Sequence, residues 1–176
     1  VTIEWDLSSP RAEGWLKQNR FNTVVITGFV ASTQEGIPTT LKRNGSDFSA
    51  SIFGALFRAR EITIWTDVDG VLSADQRRVP EAVVLDDRSY DEATELAYFG
   101  AKVVHPSTMA PAIEDKIPIW IRNTFNPKSR GSKIHVTSAA QSASAGRPIK
   151  GFATVDGMAL VNVEGTGMMG VPGVAQ

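Results

Sequence analysis

Apolar residues recur along this chain in two rhythms that take turns. A β-branched run at residues 23–27 (Thr-Val-Val-Ile-Thr), closed by Gly28, reads as a buried strand. Phe48, Ile52, Phe53, Leu56 and Phe57 then recur at helical spacing. They predict a helix over residues 47–60, capped by Ser46 or Asp47, with the phenylalanine stripe in the core. Residues 61–65, 117–121 and 132–136 read as further strands. Ser9-Pro10 marks a helix start, a serine cap before a proline, running to about Gln18. Ser89-Tyr90-Asp91-Glu92 fits a capping box opening a helix to Phe99, stopped by Gly100. Residues 102–106 read as a short extended piece, and Ser107 opens another helix to about Asp115. Strand and helix alternate, which predicts an α/β fold with a mostly parallel sheet flanked by helices.

Two stretches break the rhythm. Residues 29–44 form a long polar loop holding Gly36 and Pro38, and loops of that length inside compact domains are usually functional. Composition changes at Thr137, where ten small or polar residues without periodicity read as a linker. Beyond it, residues 149–155 and 158–163 flank an Asp156-Gly157 turn as a hairpin or two successive strands. The chain starts at Val1 and stops after a glycine-rich turn, so it is expected to be a piece of a longer protein.

Composition narrows the class only a little. The chain has 176 residues, 42% hydrophobic and 21% charged, with a net charge of −1. That balance suits a globular domain and gives no reason to expect nucleic acid or an anionic membrane as partner. There is no cysteine, which excludes a disulfide scaffold, a thiolate zinc site and a cysteine nucleophile.

The candidate chemistry lies where polar turns meet regular elements. Thr39-Thr40-Leu41-Lys42-Arg43-Asn44-Gly45-Ser46-Asp47 runs straight into the predicted helix, whose N-terminus suits an anion. Arg43 can grip a carboxylate or phosphate through two parallel bonds, or be an ordinary loop arginine. Ser46 can donate a hydrogen bond, and Asp47 can hold a lysine or a metal-bound water; both can also be plain caps. Ile64-Trp65-Thr66-Asp67-Val68-Asp69-Gly70 is a strand ending in an acidic loop, the place where open α/β sheets bind ligands. Thr66 and Asp67 suit a nucleotide. Asp67 with Asp69 suits a metal pair or an ordinary Asp-Gly turn. Arg77 and Arg78 suit phosphate or solvent. Lys102 suits a transferring phosphoryl group or the end of a helix dipole. His105 reads as a packed loop histidine.

Together these segments resemble the aspartokinases of the amino-acid kinase superfamily. The matching pieces are Thr40-Leu41-Lys42-Arg43-Asn44-Gly45-Ser46-Asp47, Ile64-Trp65-Thr66-Asp67-Val68-Asp69-Gly70, Phe99-Gly100-Ala101-Lys102-Val103-Val104-His105-Pro106 and Ile117-Pro118-Ile119. The first is most similar to the bifunctional aspartokinase–homoserine dehydrogenases. The resemblance implies ATP-dependent phosphorylation of the L-aspartate side chain to 4-phospho-L-aspartate, using ATP and Mg2+, in lysine, threonine and methionine synthesis. It implies that Arg43, Ser46 and Asp47 bind aspartate, with Asp47 orienting active-site lysines. It implies that Thr66, Asp67, Arg77 and Lys102 bind the nucleotide, Lys102 near the transferred phosphate. Asp47 and Lys102 are thus the implied catalytic residues.

The same resemblance implies a domain scheme. Residues 1–134 match the C-terminal part of a catalytic domain, 135–148 a linker, and 149–176 the start of an ACT-like regulatory domain through which the enzyme forms a homo-oligomer. It implies a cytoplasmic enzyme, or a plastid one in a plant. Three departures stand out: Asn44 for a common glycine, Leu72 for a tyrosine, and Gln76 for a proline before Arg77. The family's Lys-x-Gly-Gly phosphate motif does not occur among the 176 residues, so the chain is expected to carry half an active site. Two alternatives remain: another kinase of the same fold, and a non-catalytic nucleotide-binding or amino-acid-sensing piece.

Overall fold

The computed structural model describes residues 2–98, 105–136, 149, 151–154, 157 and 159. The elements are α1 (Trp5–Gln18), β1 (Val30–Ser32), β2 (Pro38–Thr40), α2 (Gly45–Leu56), β3 (Ile62–Thr66), β4 (Asp87–Ser89), α3 (Tyr90–Tyr98), α4 (Pro106–Glu114), β5 (Ile119–Asn123) and β6 (Ser132–His135). The main sheet has the order β3-β5-β6-β4. β3 runs parallel to β5, and β4 parallel to β6. β5 and β6 are antiparallel, as a short connection without a crossover requires. Two of the three pairings are parallel, in keeping with the alternation of strands and helices.

Alternate strand residues point to opposite faces of a sheet. In this register Ile62 lies beside Ile119, Ile64 beside Ile121, and Ile119 beside Ile134. All five isoleucines are buried. Ala93, Met109 and Ala112 from α3 and α4 close over them, with Ala50 of α2 at the margin. The intervening residues Trp65, Trp120, Arg122 and Lys133 form the other face, where the Arg122 guanidinium lies 4.8 Å from the Trp120 ring centre.

α2 departs from its expected packing. Its buried residues are Gly45, Ser49, Ser51 and Gly54, while the phenylalanine stripe is only half-buried. A Cβ on Gly54 would sit 2.5 Å from the Ile62 side chain, so the helix approaches the sheet on its small-residue side. The helix begins at Gly45, with Asn44 in the left-handed conformation (φ 59°) as its cap and no side-chain cap bond. Ser46 and Asp47 therefore lie in the first turn rather than capping it. It ends at Leu56, short of the expected Arg60, because Arg58 turns to φ 50°.

Other elements shift for equally local reasons. α1 starts at Trp5, before the expected Ser9, and carries Pro10 inside it. Trp5, Ser9 and Glu13, four residues apart, line a groove with Leu56 and Pro111. Residues 23–27 are not a strand here. A strand exists by pairing, no described strand pairs with this run, and Val25 is 95% exposed. The long loop contains a short ribbon, β1 against β2, turning at Gly36 (φ 83°). β4 was not expected at all. The capping box is as expected: the Glu92 N–H donates to Ser89 Oγ at 3.1 Å, and the Ser89 N–H to Glu92 Oε2 at 3.2 Å.

Tyr90 ties α3 to the start of β5, its hydroxyl donating to the Ile117 carbonyl, and burial pushes that hydroxyl up to about 12. Lys102, the Gly100 stop, most of the linker and most of the expected second domain lie outside the described residues. In the described part of the tail, the Phe152 N–H donates to the Ser73 carbonyl at 2.7 Å. No helix among the described residues is long and apolar enough to cross a membrane.

Candidate functional site

The connection between α2 and β3 sets the geometry of the site. α2 has 12 residues and spans about 18 Å at 1.5 Å per residue. β3 has 5 residues and spans roughly 16 Å. A turn of a few residues joins them, so the strand runs back along the helix. The N-terminus of α2 and the carboxyl end of β3 therefore lie at one end of the layer. β5 is parallel to β3, which brings Asn123 to the same end, beside Thr66.

At the helix side, Gly28 and Phe29 pack on the first turn of α2. The Phe29 N–H donates to Ser49 Oγ at 2.8 Å, and Ser49 Oγ donates to the Gly45 carbonyl at 2.8 Å. A Cβ on Gly45 would meet the Phe29 ring at 2.8 Å. Lys42 and Asn44 both take positive φ, which presents Arg43 to solvent between them. Ser46 and Asp47 follow, and as first-turn residues their N–H groups have no intrahelical carbonyl. Asp47 is half-buried, and desolvation alone raises its carboxyl above the ordinary aspartate range. Among the described residues it has neither a hydrogen-bond nor an ion-pair partner.

At the strand side, Thr66 Oγ1 donates to Asp67 Oδ1 at 3.2 Å. Asp69 accepts from Asn123 Nδ2 at 2.8 Å and from Asn126 Nδ2 at 3.2 Å. Asp69 is thus engaged by two amides from one turn. No group of three or more His, Asp or Glu among the described residues converges on a metal position. Gly70 takes φ 149°, and the Val71 N–H beyond it donates to buried Ser132 Oγ at 2.8 Å.

Arg77 lies farther along the same loop and grips Asp75 in a two-bond fork, Nε to Oδ1 at 3.0 Å and Nη2 to Oδ2 at 2.8 Å. That pair holds the Asp75 carboxyl down at about 2. The arginine side chain is 80% exposed. An ion pair so open to water contributes little stability. The geometry thus brings Arg43, Ser46 and Asp47 together on one turn and sets Thr66 and Asp67 at the same end of the layer. Arg77 is engaged by its own loop.

Sequence reasoning missed the turn at residues 123–126. Its signal was present: Asn123, Asn126 and Pro127 follow directly on an apolar strand, as turn-forming residues do.

A helix N-terminus level with the carboxyl ends of parallel strands is an arrangement of α/β proteins, a class that binds ligands at that end of the sheet. The chain belongs to the amino acid kinase family, whose model matches residues 2–123. It is 55% identical over 168 residues to the chloroplastic bifunctional aspartokinase/homoserine dehydrogenase 1 of Zea mays, covering 96% of this chain and 18% of that protein. The chain thus spans about a fifth of the length of that relative. Among solved structures it is similar to the Clostridium acetobutylicum aspartate kinase, with 34% identity and a TM-score of 0.71 over 78% of this chain and 31% of that one. It is also similar to E. coli aspartokinase III in complex with aspartate and ADP, with 34% identity and a TM-score of 0.66 over 76% and 29% of the two chains.

Proposed function

We propose that this chain forms one part of the active site of an ATP-dependent aspartate kinase. That enzyme joins a side-chain carboxylate oxygen of L-aspartate to the γ-phosphorus of ATP, the bond to ADP breaks, and 4-phospho-L-aspartate leaves. The observation that carries the reading is Asp47: a half-buried carboxylate, raised by desolvation and unpartnered among the described residues, beside exposed Arg43. Burying such a carboxylate without a partner costs folding free energy, and carboxylates perturbed in this way cluster at functional sites. The named ligands of E. coli aspartokinase III, aspartate and ADP, support the same substrates here.

In this reading Arg43 forks onto a substrate carboxylate and Ser46 donates to it. Asp47 orients active-site lysines, and Lys102 serves the nucleotide near the transferred phosphate. Thr66 and Asp67 hold the nucleotide, and Arg77 exchanges Asp75 for phosphate. Phosphoryl transfer needs positioning and charge rather than covalent help from the protein. Mg2+ is bound largely through water and phosphate oxygens, which suits a site whose described carboxylates do not converge. The product enters lysine, threonine and methionine synthesis, in the cytoplasm or a plastid. The residues from 149 on begin an ACT-like regulatory region through which copies assemble and feedback acts.

Isotope-edited spectra of the 176-residue chain test the substrate assignment. Millimolar L-aspartate should shift the amides of residues 43–47, and MgADP those of residues 66–67. Arg43→Ala should remove the first response and keep the second. Silence at residues 43–47 on adding aspartate, with the MgADP response at residues 66–67 present, would overturn the assignment.

A further inference from the structure

Thr66 and Asp69, on either side of Asp67 in the acidic loop, are both bonded from a turn that the substrate assignment leaves out. Thr66 is the last residue of β3, and its carbonyl accepts the Thr124 N–H at 2.8 Å. Three residues later the Asp69 carboxylate accepts the Asn123 amide at 2.8 Å, and the Asn126 amide at 3.2 Å on Oδ1 and 3.3 Å on Oδ2. Asp67 lies between these two fixed points. The turn is itself ordered by polar bonds, since Asn123 Oδ1 accepts the Phe125 N–H at 2.8 Å. Apolar burial does not hold it, because Phe125 is 83% exposed.

The chemistry of the clamp is directional. A carboxylate only accepts, and an asparagine amide nitrogen only donates. Asn123 uses both ends of its side chain at once, the nitrogen on Asp69 and the oxygen on its own turn. Aspartate at either position would keep the shape and set a carboxylate against a carboxylate. Bonds to a charged acceptor are stronger than neutral ones. A loop closed by three of them holds the residues it encloses in one geometry.

We infer that Asn123 and Asn126 are positioning residues of the nucleotide site, fixing Thr66 and Asp67 through Asp69. The inference rests on the nucleotide role proposed above for Thr66 and Asp67. It adds a second segment of chain to that site and gives Asp69 a role other than metal ligand.

The test is the affinity for MgADP, read by calorimetry, of the maize aspartokinase/homoserine dehydrogenase carrying this chain in place of its matching segment, together with the melting temperature of that graft. Asn126→Asp should weaken MgADP binding roughly tenfold or more, about 1.4 kcal/mol, with the melting temperature nearly unchanged. Combining it with Asp69→Asn restores a donor facing an acceptor, and should recover most of the affinity. The exchange keeps the position meaningful even if Asn126→Asp alone disturbs the fold. Equal affinity for the graft with and without Asn126→Asp, or no recovery in the exchange, would overturn the inference while leaving the nucleotide reading intact. A folded graft without substitutions that does not bind MgADP would overturn both.

Discussion

Replacing Gly70 with alanine should cost the domain about 3 kcal/mol. Gly70 closes the acidic corner with φ 149°, a conformation that residues with a Cβ rarely adopt. Holding a side-chain-bearing residue there costs about 1–3 kcal/mol. The added Cβ would lie 2.4 Å from Ser132 Oγ, 2.9 Å from Val84 Cγ1 and 3.0 Å from the Ser132 nitrogen. Ser132 is fully buried, and its Oγ is the acceptor for the Val71 N–H. Pushing that hydroxyl aside strands a buried donor, which costs about 1–3 kcal/mol. The two terms sum to about 2–6 kcal/mol, and because the same displacement relieves part of the clash the total falls in the lower half of that range. For a domain of this size that corresponds to a drop of roughly 10 °C in melting temperature. Urea unfolding followed by fluorescence and by circular dichroism measures it. Ser132→Ala alone should cost about 1–2 kcal/mol, and Gly70→Ala should cost at least ~1 kcal/mol less in that background, because the nearest clashing atom is gone. A Gly70→Ala effect below about 0.5 kcal/mol, or strict additivity with Ser132→Ala, would refute the reasoning.

Other outcomes follow from single groups. Asp47→Asn should raise the melting temperature at pH 7. Burial raises the folded-state pKa of Asp47, so its charge works against folding once pH climbs past its ordinary value near 3.8. The gain should vanish as pH falls below that value, and a gain that persists there would contradict the desolvation argument. Tyr90→Phe should cost about 1–2 kcal/mol by leaving the Ile117 carbonyl without its donor. It should also abolish a loss of stability between pH 10 and 12, where the unfolded tyrosine ionises before the folded one; an unchanged alkaline limb would contradict it. In a complete kinase containing this chain, Lys102→Ala should lower kcat at least a hundredfold with little change in aspartate KM. Near-normal kinetics with a lower melting temperature would instead make it a helix-end lysine.

Much of the fold was legible because its signals are local. The Ser89–Glu92 box, the isoleucine runs of β3 and β5 and the Ser132 start of β6 each declare themselves within a few residues. What failed depended on partners. Residues 23–27 have the composition of a strand, yet composition supplies no neighbour to pair with. The phenylalanines of α2 have helical spacing, yet Gly54 decides which side meets Ile62. β4 is short and polar and exists through its parallel pairing with β6. At the site, Arg43, Ser46 and Asp47 could be grouped because they share a turn. The clamp on Asp69 joins residues 54 and 57 positions apart, and no sequence window contains both ends.

The most direct measurement grafts these residues into a complete relative. In the maize aspartokinase/homoserine dehydrogenase, the matching segment is replaced by this chain, which shares 55% of its residues over that span. Aspartyl phosphate is then trapped with hydroxylamine and counted as hydroxamate. The account predicts ATP-dependent hydroxamate formation from L-aspartate by the graft. It also predicts that Arg43→Ala within the graft raises the aspartate KM tenfold or more, about 1.4 kcal/mol, while the ATP KM stays within about twofold. A folded graft that makes no hydroxamate, or an Arg43→Ala graft that loses ATP affinity and keeps aspartate affinity, would contradict it.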